Sequence, residues 1–138
     1  MKRLPVVCLI GVLIACAVVG IACRGEAAAS VDWSKAEAVE LRLIEYEFIP
    51  NQLRLRRDIP YRLHLINIGK EGHDFTAADF LSAVEVRNPD VLNESRTSIF
   101  LEPAQAADIF FIARRAGLFA PRCADHDWAG MTATIIVD

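Results

Sequence analysis

The chain lacks the means to build a disulfide framework. Of its 4 cysteines, Cys8, Cys16 and Cys23 fall near the N-terminus, which leaves Cys123 without a partner in the rest of the sequence. A basic stripe with interleaved aromatics is also missing. Beyond residue 29, 12 Lys and Arg stand against 17 Asp and Glu, so the charge balance speaks against nucleic acid as a partner. No helical apolar period holds over a long window after that point, and no internal repeat is visible. The reading therefore turns toward β structure.

Apolar residues, by contrast, are abundant: they make up 54% of 138 residues, more than a single core of that size requires. Part of the excess is N-terminal. Lys2 and Arg3 precede an apolar run from Leu4 to Ala22, the charged and hydrophobic regions of an export signal. Three exits from it stay open. Leu13-Ile14-Ala15-Cys16 fits a bacterial lipobox, with Gly20-Ile21-Ala22-Cys23 as a poorer version. Ala27-Ala28-Ala29 fits ordinary signal cleavage. Left uncleaved, the run is close to the roughly 20 residues that span a bilayer. Residues 1–29 are thus read as signal peptide or membrane anchor, 30–37 as a tether and 38–138 as one domain. Each outcome exports that domain to the periplasm or the outer face of the cell membrane, as a lipoprotein, a freed protein or an anchored one. There an unpaired thiol tends to be oxidised. Cys123 needs a reason to be there, and the plainest is that it serves as a small buried hydrophobe.

Short alternating segments follow the tether. Val39, Leu41 and Leu43 alternate with Glu40, Arg42 and Ile44; after a proline turn at Phe48-Ile49-Pro50-Asn51-Gln52, Leu53 and Leu55 alternate with Arg54 and Arg56. Residues 61–68 place Leu63 and Leu65 on one face and Arg62 and His64 on the other, so His64 reads as a solvated strand residue turned away from the core. The stretch 76–95 is irregular, with a short helix over 77–83. Residues 98–101, 108–113, 117–123 and 131–137 supply four more strands. About seven short strands with frequent turns predict an all-β sandwich.

The chemistry concentrates in Cys123-Ala124-Asp125-His126-Asp127-Trp128-Ala129-Gly130-Met131, where thiol, imidazole and thioether share one loop. A continuous strand would send Cys123 and His126 to opposite faces, so the loop must bend, and Gly130 supplies freedom at its end. A second imidazole comes from His73, just past the strand that ends at Gly69. Taken singly, Met131 is a core plug, His73 a loop histidine and Cys123 an inert thiol. Together, two His, one Cys and a weak Met form the trigonal ligand set of blue-copper electron-transfer sites. Sulfur ligands favour Cu(I) and imidazole suits both states, while a rigid β scaffold limits rearrangement on electron transfer.

From about Ala38 to Val137 the chain resembles the plastocyanin/azurin family of cupredoxins. Glu47-Phe48-Ile49-Pro50 with Leu53 and Leu55 is similar to the family's early strand pair, and Leu63 to Gly69 leading into His73-Asp74-Phe75 is similar to the strand and loop of its first ligand. Gly117-Leu118-Phe119 through Cys123, His126, Gly130 and Met131 resembles the terminal ligand loop, with plastocyanin spacing. The resemblance implies a cupredoxin-like Greek-key β-sandwich and one type 1 copper ion. His73 and His126 would be equatorial ligands, Cys123 the thiolate and Met131 the long axial ligand. The function implied is one-electron transfer, with a redox protein as partner and no small-molecule substrate.

Departures from the family pattern carry their own expectations. Asp74 stands where relatives often carry asparagine, and Asp125 and Asp127 flank His126; negative charge there favours Cu(II) and lowers the potential. A single loop cysteine disfavours a binuclear site, and 3 histidines are too few for the second copper centre of an oxidase or nitrite reductase, so no enzyme is expected. Trp128 beside His126 reads either as packing or as an apolar patch for partner docking. A periplasmic copper carrier or chaperone could use the same ligands, and a copper-free interaction module is a third reading.

Overall fold

The computed structural model describes residues 30–138. The expectations for signal, lipobox and anchor fall outside the described residues.

Ten strands and one short helix follow a 3-10 turn at Trp33–Lys35: β1 (Glu37–Ile44), β2 (Glu47–Ile49), β3 (Gln52–Leu55), β4 (Pro60–Asn67), β5 (His73–Thr76), α1 (Ala78–Ala83), β6 (Val84–Val86), β7 (Ser98–Leu101), β8 (Ala106–Ala113), β9 (Gly117–Phe119) and β10 (Thr134–Val137). One sheet runs β2-β1-β4-β8-β6, with β1 and β4 parallel and its other pairs antiparallel. A second runs β3-β10-β9, with β3 parallel to β10. The β5-β7 pair joins this second layer through the bridges Thr76 to Arg122 and Arg122 to Thr132.

Alternation explains most of this assignment. Tyr61, Leu63 and Leu65 of β4 and Leu41 and Leu43 of β1 are buried, while Arg62 and Glu40 face out. From the other layer, Leu53 and Leu55 of β3 and Ile135 and Val137 of β10 meet them in one apolar cluster. Phe80 of α1 enters the same cluster edge-on to Phe111 and Phe119, at centroid distances of 5.4 and 5.6 Å. Ahead of the sandwich, Trp33 stands edge-on to Phe110 at 6.2 Å and beneath the Arg87 guanidinium at 5.3 Å.

The expected sandwich is present, but its strands number more than about seven. Glu47–Ile49 pairs with β1 as β2, as the family resemblance implied, although alternation placed Phe48 and Ile49 in a proline turn, and Phe48 is buried. Val84–Val86 forms β6 within the stretch read as irregular. Three residues are too few to show a period. His73–Thr76, read as loop, is strand β5; His73, Asp74 and Phe75 are all buried, so no alternation of exposed and buried residues marks it. Conversely, residues 117–123 and 131–137 are strand only at Gly117–Phe119 and Thr134–Val137, because the chain between must turn back on itself.

Leu65 lies in the middle of β4 with no exposed surface. Leu65→Ala is expected to lower the unfolding free energy by about 2–5 kcal/mol, through lost burial and the cavity left behind. Denaturant titration of the metal-free chain checks this.

Candidate metal centre

Two backbone contacts assemble the site. Thr76 N donates to Arg122 O (2.9 Å) and Arg122 N to Thr76 O (3.0 Å), which sets the β5 strand beside the segment carrying Cys123. From Cys123 the chain folds back at once. Cys123 N donates to Met131 O (3.0 Å), His126 N to Cys123 O (3.2 Å) and Met131 N to His126 O (3.3 Å). The bend is a 3-10 turn, Asp127–Ala129, ended by Gly130 at φ 81°. That is the left-handed region where glycine carries little penalty, as the sequence required of position 130.

Both imidazoles, His126 from this loop and His73 from β5, turn Nδ1 toward the thiol. His126 Nδ1 lies 3.3 Å from Cys123 Sγ and 3.2 Å from His73 Nδ1, and His73 Nδ1 lies 4.0 Å from the sulfur. These three atoms could hold a metal ion. Met131 is fully buried, and its main chain is tied to both Cys123 and His126. His64 is elsewhere, on the outer face of β4, with Nδ1 2.8 Å from Asp108 Oδ1; Arg62 approaches the same carboxylate at 3.0 Å. It faces away from the centre, as its strand position required, and Asp108 gives it a partner that the sequence did not show.

Asp74 supports the thiol from beneath. Its main-chain N–H donates to Cys123 Sγ at 3.4 Å, and its Oδ2 lies 3.3 Å from the same sulfur. The carboxylate also accepts from Ala124 N at 2.9 Å and from the Thr76 hydroxyl. Burial pushes the Cys123 thiol above its ordinary value, against the pull of the Asp74 N–H. Asp127 turns outward to pair with Arg122.

Carboxylates also line the outer edges of both imidazoles, and aromatic rings that of His126. Glu45 Oε1 lies 3.5 Å from His73 Nε2, and Glu71 Oε2 lies 3.2 Å from His126 Nε2. The Tyr46 ring packs 4.9 Å from His126 and 5.7 Å from Trp128, and its hydroxyl approaches Glu71 at 3.4 Å. Trp128 is 76% exposed, and its Nε1 donates to Asp125 O at 3.0 Å. Glu45, Tyr46 and Glu71 carried no signal in the sequence, since they come from turns without period or motif. Behind them, Asn67 is buried with its amide donating to Glu71 O (2.8 Å) and Leu101 O (2.9 Å), which ties down the turn before His73.

No family model matches the chain, and no curated protein matches it in sequence. Solved structures do. Auracyanin B, a cupredoxin, superposes with a TM-score of 0.56 at 20% identity, over 75% of this chain and 89% of that one. The periplasmic domain of cytochrome oxidase subunit II (CoxB) of Bradyrhizobium japonicum gives 0.53 at 14% identity, over 74% and 83%. A multi-copper oxidase from Pediococcus acidilactici gives 0.57 at 16% identity, over 81% of this chain and 28% of that one. The chain has the cupredoxin fold. Among the described residues, no helix is long and apolar enough to cross a membrane.

Glu45 ties the site's outer turn to pH. The Glu71 N–H above all holds its carboxyl at about 2, below the ordinary 4.5 and against the cost of desolvation. A depressed carboxyl stabilises the fold above its ordinary value, and that contribution is lost as pH falls through the folded-state value. The melting advantage of the wild-type chain over Glu45→Gln is therefore expected to be full above about pH 4.5 and to shrink toward pH 2. Thermal melts across that range check it.

Proposed function

We propose that the chain binds one type 1 copper ion through His73, Cys123, His126 and Met131 and carries single electrons in the cell envelope. The observation that carries this reading is the convergence of two Nδ1 atoms and one Sγ at the loop end of a cupredoxin fold. The donor chemistry fits: a thiolate, two imidazoles and a thioether are the ligand set of blue-copper sites, and Cys123, His73, His126 and Met131 would supply them. Bound copper supplies one-electron cycling between Cu(I) and Cu(II).

The remaining chemistry belongs to this chain's residues. Cys123 gives up a proton to ligate, a step its raised value makes pH-dependent. The Asp74 N–H then faces a thiolate in place of a thiol, while the Asp74 carboxylate adds negative charge beside it. The backbone bonds closing residues 123–131 hold His126 and Met131 near their final places, so little need move when the charge changes. No second copper centre is assigned, because His64 is engaged by Asp108 on the far face. We read the reaction as electron relay without substrate turnover, in an exported domain delivered by the charged and apolar N-terminal segment. Burial of His73, Cys123 and Met131 favours retaining the metal over handing it on, which sets electron carriage ahead of copper delivery. Partner docking is assigned to the exposed Trp128 beside Tyr46 and His126.

Addition of Cu(II) to the purified chain is expected to give an intense thiolate-to-copper absorption band that Cys123→Ser lacks. A wild-type chain with no such band would overturn the reading. Asp74→Asn, which removes a charge 3.3 Å from the sulfur, is expected to raise the reduction potential in voltammetry. Asp127→Asn should shift it less, since Arg122 already offsets that charge. Trp128→Ser is expected to slow exchange with a redox partner in stopped-flow mixing while the copper band stays unchanged.

A further inference from the structure

His73 is wholly buried, and its outer nitrogen, Nε2, makes no hydrogen bond among the described residues. A buried polar group in that state calls for an explanation. The charged atom facing it is Glu45 Oε1, at 3.5 Å, a long approach rather than a formed hydrogen bond. That carboxylate is not a wandering surface group. Its Oε1 accepts from Glu71 N at 2.7 Å and from Lys70 N, so the turn between β4 and β5 grips it. The space it occupies exists because residue 69 is glycine: a Cβ there would collide with the Glu45 carboxylate. Anion, grip and gap are built together behind one imidazole. The carboxylate behind His126 differs, because Glu71 is half exposed to water, which screens its charge.

Resting on the copper reading above, we infer that Glu45 is the positioning residue for His73, its carboxylate drawing the N–H to the Nε2 side when the metal binds so that a bare Nδ1 faces the metal, and biasing the centre toward Cu(II). The chemistry is general. A ligating imidazole whose second nitrogen donates to a carboxylate is fixed in tautomer and ring orientation and becomes a stronger base. A more basic nitrogen beside a fixed negative charge favours the ion of higher charge. Glu45 is not among the proposed ligands; it acts through His73.

Glu45→Gln tests the charge alone, because the amide oxygen can still accept from both backbone N–H groups. Cu(II) and Cu(I) affinities are measured by competition with chelators for each ion, and the reduction potential by voltammetry. The ratio of Cu(II) to Cu(I) affinity is expected to fall about tenfold, which for one electron raises the potential by about 59 mV. Should Glu45→Gln fail to fold, Gly69→Ala pushes the intact carboxylate from its place and is expected to shift the ratio in the same direction. A folded variant that keeps the thiolate-to-copper band with an unchanged ratio and potential overturns the inference and leaves the copper reading standing. A wild-type chain without the band overturns both.

Discussion

The reciprocal backbone pair between Thr76 and Arg122 is the contact on which the site depends. It joins a two-stranded piece carrying His73 to a segment that runs into Cys123, although 50 residues separate those two donors. Everything chemical follows from that one crossing. His73 enters from β5, Cys123 follows the bridge, and the fold-back from Cys123 to Met131 brings His126 to the same point. A reciprocal long-range backbone pair between two segments of the sandwich is a stiffer means of positioning than a flexible loop. The donors are set by the register of strands, and strands in a packed core do not slide.

Stiffness has a cost that the neighbouring residues offset. Nδ1 of His73, Nδ1 of His126 and the Cys123 sulfur crowd together with little water available, and burial above all, with the Asp74 carboxylate adding to it, pushes the thiol toward its neutral form. The Asp74 N–H answers part of this. One residue supplies an N–H aimed at the sulfur and a carboxylate that gathers Ala124 N and the Thr76 hydroxyl. Asn67 does similar work one layer out, satisfying the carbonyls of Glu71 and Leu101. Polar atoms near the centre are thus tied into a network, with His73 Nε2 the exception among the described side chains.

The sequence made some of this legible and hid the rest, and the division has physical reasons. Alternation in β1, β3 and β4 could be read because each strand has one buried and one exposed face. The helix over 77–83 matches α1 at Ala78–Ala83. Strand β5 was read as loop because both its faces are covered; β6 was missed, and β2 was reached only through the family resemblance, because three residues hold no period. Spacing alone pointed to the grouping of Cys123 and His126, since an odd separation demands a bend. The joining of His73 to them was expected from ligand chemistry and family resemblance rather than from any local pattern. Glu45 and Glu71 lay beyond reach, because they meet the imidazoles only through the folding of two turns onto one another.

The two imidazoles that look equivalent in the sequence have unequal surroundings. His73 is sealed in, with a gripped carboxylate behind it and glycine making the room. The His126 side chain keeps 13% of its surface exposed, beneath Tyr46 and beside a solvent-facing Trp128. On the copper reading this asymmetry divides the labour between them. The sealed side is where a fixed charge acts with least screening, so it is the natural place to set which oxidation state is preferred. The open side, where aromatic rings continue outward from the ligand, is the natural place for an electron to leave. A centre wrapped equally on both sides could hold a potential but would be slow to exchange electrons. One open on both would exchange with water and stray metals as readily as with a partner. On the copper reading, the departure from equivalence serves one demand, to hold a metal tightly while keeping one edge of it in reach.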